Sequence, residues 1–259
     1  MRLALLTLTL AFAGCDEGTE LPDSNDGDGA VIGDDYTDTL LAAQWADILE
    51  FTVEDDTITI DGGGVPDHDV LDLYAVPGGS TLSMDGTIAT GSVSIRKTPV
   101  MAASPTDTGL GVIGVAISGG WFFNPYEGDG TSVALDSNFE VDGVPFIDSC
   151  NGHPLPSDLQ YHYHGIPYCI TDVIDSSGEH SVLLGVLRDG FPMYGPQDED
   201  GEAPGDLDGC SGHTGATPEF LDGIYHYHVT ETAPYIVTCF SGEVDASTGG
   251  GGPGGGPPQ

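Results

Sequence analysis

Apolar residues in this chain recur mostly at every second position or in short unbroken runs, and both patterns belong to strands. Phe51, Val53, Thr57, Ile58 and Ile60 mix alternation with β-branching, and Val93 and Ile95 alternate with Ser92 and Ser94. Val112 to Ile117 and Val182 to Leu187 are near-continuous apolar runs, as buried strands are. Asp61-Gly62, Asp85-Gly86, Asp142-Gly143 and Asp189-Gly190 punctuate these segments as turns. Helical spacing occurs once, over Thr39 to Leu49, where Leu40, Leu41, Trp45 and Leu49 recur. The pattern predicts an all-β domain, a sandwich or a barrel, with few helices.

Both ends of the chain lie outside that pattern. Arg2 precedes an apolar run from Leu3 to Phe12, which has signal-peptide length and falls short of the ~20 residues of a membrane span. The run ends Phe12-Ala13-Gly14-Cys15, close to a bacterial lipobox, with Phe12 where Leu is usual. Lipidation of Cys15 is the expected outcome, and cleavage after Ala11-Phe12-Ala13 is the competing one. Residues 16–37 are read as an acidic linker, residues 38–246 as the β domain, and 247–259 as a disordered Gly/Pro tail. Asp23 to Gly29 lacks the spacing and the terminal Glu of a calcium loop.

Composition narrows the function classes. Asp plus Glu number 42 against 4 Lys plus Arg in 259 residues, for a net charge of −38. Such a field repels phosphate backbones and anionic headgroups, so no nucleic-acid partner is expected, and it concentrates cations. With 40 Gly and 18 Pro, a helical bundle is excluded as well. Of five cysteines, Cys15 goes to the lipid site. Cys150, Cys169, Cys210 and Cys239 remain, and in an exported protein they form two disulfides with three pairings open.

An internal repeat carries the chemistry. Asp148-Ser149-Cys150-Asn151-Gly152-His153 is echoed by Asp208-Gly209-Cys210-Ser211-Gly212-His213, and Tyr161-His162-Tyr163-His164 by Tyr225-His226-Tyr227-His228. Each unit closes on a cysteine, Cys169 or Cys239, and the offset grows from 60 to 64 to 70, so insertions fall in the connecting loops. On a strand, His162 and His164 share one face and the tyrosines the other. A His-x-His pair with a loop histidine, His153 in one unit and His213 in the other, makes a three-imidazole site for copper or zinc. If the two strands pair, His162, His164, His226 and His228 meet on one face, with His153 and His213 closing the shell.

These motifs resemble the bacterial YHYH-domain proteins. The resemblance extends over Gly64-Val65-Pro66-Asp67-His68, Cys150 to Pro154, Gly165 to Cys169, Asp189 to Pro196, Pro234-Tyr235 and Cys239-Phe240, about residues 55–243. It implies an exported domain with a metal-binding role; Ser211 departs from the Asn of the first unit.

The remaining candidates are secondary. His68 reads as a turn histidine or a seventh ligand of the cluster, His180 as a solvated turn histidine, and Met193 as core. Asp189 and Tyr194 are candidates for a pocket wall. Asp198 through Asp208 is dense in oxygen ligands, so calcium is an open possibility there. No phosphate loop, G-x-S-x-G elbow or H-E-x-x-H pair occurs. The leading expectation is an envelope lipoprotein, periplasm-facing or on the cell surface, that binds copper or zinc. A metal-dependent hydrolase, a copper oxidase and a metal-free adhesive module are the rivals.

Overall fold

The structure, a computed structural model, describes residues 35–176 and 178–244. The signal-like run, Cys15, the Asp23–Gly29 segment and the Gly/Pro tail lie outside the described residues. Strands β1 (Glu50–Val53) and β2 (Thr57–Gly63) come first, then the hairpin β3 (Leu73–Val76) and β4 (Ser80–Ser83), then β5 (Gly91–Arg96) and β6 (Met101–Asp107). The middle of the chain supplies β7 (Val112–Ala116), β8 (Trp121–Phe123), the short pair β9 (Glu140–Val141) and β10 (Val144–Pro145), β11 (Gly152–Pro154) and β12 (Tyr161–Tyr163). The last strands are β13 (Leu183–Leu187), β14 (Pro192–Tyr194), β15 (Gly212–Gly215), β16 (Ile224–His228) and β17 (Cys239–Gly242).

Eight of these strands make one open mixed sheet in the order β11-β12-β8-β7-β13-β14-β16-β15. Its two halves are copies. In the first, Val112, Gly114 and Val115 face Phe123, Phe122 and Trp121, with a bulge after Val112. In the second, Leu183, Gly185 and Val186 face Tyr194, Met193 and Pro192, with a bulge at the same place. Every position differs by 71, and Val115 pairs with its own counterpart Val186 at the antiparallel centre of the sheet. The duplication therefore takes in a whole hairpin upstream of each cysteine-histidine unit. Little sequence identity marks those hairpins, because buried strands require only apolar residues at the same register.

The smaller three-stranded sheet, β1-β2-β5, shares its core with the large one. Ile58, Ile60, Val93 and Ile95 pack in one cluster with Trp121, Phe122 and Tyr163. A methyl group at Gly63 would lie 2.2 Å from the Trp121 ring, so only glycine lets the indole sit there. Both disulfides close within a unit, Cys150–Cys169 and Cys210–Cys239. They pin the start of each unit to its end.

Local expectations hold unevenly. The YHYH runs are strands, and Asp142-Gly143 and Asp189-Gly190 sit between paired strands. Asp61-Gly62 is a bulge inside β2 rather than a turn, with Gly62 at φ +99°. The expected helix over Thr39–Leu49 shortens to α1 (Thr37–Leu41). The Trp45 indole donates to the Leu40 carbonyl at 2.7 Å, and the Ala46 amide leaves for the Ile117 carbonyl at 2.7 Å. The Leu40 carbonyl and the Ala46 amide, an acceptor and a donor that a longer helix needs, are thus already taken. Packing begins before the expected boundary, because Tyr36 is buried and its hydroxyl donates to the Gly190 carbonyl at 2.5 Å. A second helix, α2 (Tyr168–Ile174), was not anticipated from its β-branched residues. It starts after Pro167, where a missing N–H costs nothing, and Cys169 ties it down.

Candidate metal centres

β12 and β16 do not pair. Four strands separate them, which at ~4.8 Å per step places them about 24 Å apart. The six histidines divide into two groups, each belonging to one unit.

The first centre is built from a single strand pair. His153 on β11 lies directly opposite His162 on β12, so it is a strand histidine rather than a loop one, and His164 follows at the strand end. All three side chains are buried, and their ligand nitrogens lie within 4.8 Å of one another. The Nε2 atoms of His153 and His164 are 3.2 Å apart. Two imidazoles on one tetrahedral ion, each ~2.05 Å from it, stand ~3.3 Å apart. His164 Nδ1 donates to the Asn124 carbonyl at 2.8 Å, and His162 stacks on Phe123 with ring centres 3.8 Å apart. His162 Nδ1 leans toward the Gln160 carbonyl but has no hydrogen bond of normal geometry.

The second centre repeats this plan and adds a residue. His213 on β15 opposes His226 on β16, and His228 ends the strand. The His213 Nε2 lies 3.0 Å from that of His226 and 3.2 Å from that of His228. His180, expected to be solvated, is buried at 9% exposure with its Nε2 3.4 Å from that of His226. Asp198 approaches from the acidic loop, 3.9 Å from the His180 Nε2. The ligand atoms of His180, His226 and His228 lie within 4.8 Å of one another, as do those of Asp198, His213 and His228, so four imidazoles and a carboxylate gather around His228.

The tautomers follow from the outer partners. His180 Nδ1 donates to the Ser181 carbonyl at 2.6 Å, His226 Nδ1 to the Ile224 carbonyl at 2.9 Å, and His228 Nδ1 to the Gly195 carbonyl at 2.6 Å. His213 Nδ1 donates to the Asp206 carboxylate at 2.9 Å. These oxygens only accept, so each Nδ1 carries a proton, and in a neutral ring Nε2 then presents a bare lone pair. Such lone pairs directed at one another repel unless a cation or a proton lies between them. Burial keeps His153, His162, His164, His226 and His228 neutral, as ligands must be. It lowers the His164 and His226 pKa values to about 4 and that of His228 to about 3. His153 and His162 fall well below the usual imidazole range through burial and then neighbouring imidazoles.

The tyrosines hold both strands from the opposite face. Tyr161 donates to Asp148 at 2.9 Å and Tyr225 to Asp208 at 2.8 Å. Tyr163 meets the Ser118 hydroxyl at 2.7 Å, while Tyr227 donates to Asp189 at 2.5 Å. Ser118 and Asp189 are counterparts at the offset of 71. Asp189 is thus a buried anchor behind the centre, not part of its wall, and burial raises its pKa to about 6. A methyl group at Gly152 would lie 2.4 Å from the Tyr161 hydroxyl, and one at Gly212 2.1 Å from that of Tyr225. These glycines let the cysteine turns cross the tyrosine tips.

Other candidates fall elsewhere. His68 joins neither centre; its Nε2 meets the Tyr163 hydroxyl at 2.6 Å, near cysteines already joined in a disulfide. Met193 is core, and Tyr194 packs edge-on against His180 and His226. In the acidic loop Asp198 and Asp206 serve imidazoles and Asp208 serves Tyr225. Among the described residues these carboxylates gather into no oxygen-only cluster. Only His180 was missed as a ligand candidate. Its sole sequence signal is its place just ahead of a buried strand that leads into the second unit.

The sequence profile of the family described as YHYH protein matches residues 92–204 and 197–242, more than half of the chain. No curated protein matches, and no solved structure does. The two matched segments span the duplicated sheet and both histidine centres, and the chain belongs to the YHYH protein family.

Proposed function

We propose that this protein holds a copper or zinc ion in each of its two histidine centres and does so outside the cytoplasm, anchored to the cell envelope through Cys15. The observation that carries the reading is the convergence of imidazole Nε2 atoms at 3.0–3.4 Å in the second centre, where every Nδ1 is already a donor. Between neutral rings these nitrogens have no proton to share, whereas a borderline cation takes up their lone pairs. The outer carbonyls and the Asp206 carboxylate orient the rings and raise their basicity, as outer partners of metal-bound histidines do. The acidic surface raises the local cation concentration around both sites. Export is supported by the Leu3–Phe12 run and by two disulfides in one domain.

The test is metal analysis of the untagged protein, purified from its own envelope without chelators. About two equivalents of copper or zinc per chain are expected, one per centre. Protein that stays metal-free after exposure to each ion would leave the histidines as packing residues of a surface module. Cys15→Ser is expected to move the protein from the membrane fraction to the soluble one. Unchanged fractionation would refute the lipid anchor while leaving the metal reading intact.

A further inference from the structure

The two centres differ on the side that faces solvent, and the difference follows from the duplication. At the offset of 71, Gly109 stands where the second unit has His180. The first centre therefore has three imidazoles where the second has four. Beside these three rings lies a pocket of about 400 Å³, lined by His153, His162, His164, Leu110, Glu127 and Arg188 among others. Three protein nitrogens beside a cavity of that size describe a metal with a free coordination position.

Arg188 indicates what fills that position. The chain has four cationic side chains against 42 carboxylates. Arg96 pairs with Glu243 at 3.6 Å and Lys97 with Asp35 at 3.4 Å, while Arg2 lies outside the described residues. Arg188 has no carboxylate partner among the described residues, and its Nε is buried without a hydrogen bond. A guanidinium nitrogen buried without a partner is costly unless something else completes it. Glu127 is the one carboxylate on the pocket wall. The rest of the wall sets the three imidazoles and Arg188 among apolar and neutral groups.

We propose that the first centre is an open metal site taking a small oxyanion, or a molecule carrying one such as a carboxylate, as its fourth ligand, with Arg188 as the clamp. The second centre, closed by His180, keeps its ion without exchange. This rests on the metal reading above. A planar guanidinium beside a divalent ion matches a carboxylate geometrically, and together they form a local positive field inside a strongly negative molecule. Arg188 is thus a specificity-determining residue for the ligand and not a ligand of the metal.

The full-length protein loaded with Co²⁺ tests this, with acetate as the probe and the visible cobalt bands as the readout. Acetate should saturably shift the bands of about half the bound cobalt. Arg188→Gln should keep both ions and weaken acetate on the order of 10- to 100-fold, the usual worth of a charge-assisted hydrogen bond. Arg188→Lys should fall between, and His153→Ala should lose the response together with the first cobalt only. Two bound cobalt ions with no acetate response would overturn the proposal. So would a response untouched by Arg188→Gln in a variant that still binds both ions, or one that survives His153→Ala. Failure to bind any cobalt would bring down the metal reading itself, and this inference with it.

Discussion

Changing His162 and His164 together to alanine should remove one of two metal equivalents and leave the other bound, and changing His226 and His228 should do the reverse. The expectation rests on the sheet order, in which four strands lie between the two YHYH strands. No histidine of one unit hydrogen-bonds or stacks with a histidine of the other. A single six-histidine site would lose all its metal in either variant, so metal analysis of the two proteins separates the arrangements. Each strand should persist after substitution, because the tyrosine face holds it independently through Asp148 and Ser118, or Asp208 and Asp189. Thermal stability should fall all the same, since an ion that binds only the folded state stabilises it by RT ln(1 + [L]/Kd). At a free ion concentration 1,000 times Kd, that is about 4 kcal/mol per centre. Loss of both ions from either double variant would show that the centres act as one.

Chelator-treated protein should become markedly less stable as pH falls from about 6.5 to 5, while the metal-loaded protein should not. The buried imidazoles have depressed folded-state pKa values, about 4 for His164 and His226, about 3 for His228, and well below the usual range for His153 and His162. Above ~6.5 the rings are neutral in both states and contribute nothing to the pH dependence. Below it the unfolded chain takes up protons that the folded chain refuses, so stability falls with pH. Each such ring costs about 1.4 kcal/mol per pH unit. His164, His226 and His228 together amount at pH 5 to on the order of 6 kcal/mol, a large part of the stability of a typical domain, and His153 and His162 act in the same direction.

Two opposing effects are smaller in that window. Asp189, raised by burial to about 6, favours the fold as it protonates below that pH, but it is one group against five. Relief of repulsion among the 42 carboxylates comes mainly near pH 4, below the window. A bound ion holds the rings as neutral ligands in both centres, so protons must first displace it. Melting curves with and without EDTA across this range would decide the matter. A flat apo profile between pH 6.5 and 5 would contradict the neutral, buried state of these histidines.

The strand-rich class, the duplication, the two YHYH strands and the shared face of each His-x-His pair are all legible along the chain. These follow from short-range rules: side chains alternate along a strand, and matching spacings recur when a unit is copied. The six expected ligands could be read for the same reason, since each lies in a repeated motif. Disulfide pairing stayed open between three alternatives, because it depends on which loop ends meet in space. The helix from Thr39 was overestimated for a related reason: Leu40 and Ala46 were already engaged by Trp45 and Ile117.

That the YHYH strands stand at opposite flanks of one sheet is visible only in three dimensions. The hairpins that separate them, Val112–Phe123 and Leu183–Tyr194, repeat in register but hardly in sequence. The tertiary structure likewise brings His180 into the second centre from just ahead of β13 and leaves Gly109 at the corresponding place in the first. Periodicity cannot register a residue whose partners are tens of positions away. The set of imidazoles at each centre is therefore fixed by packing across the sheet, which gathers His153, His162 and His164 on one flank and adds His180 to the histidines of the other.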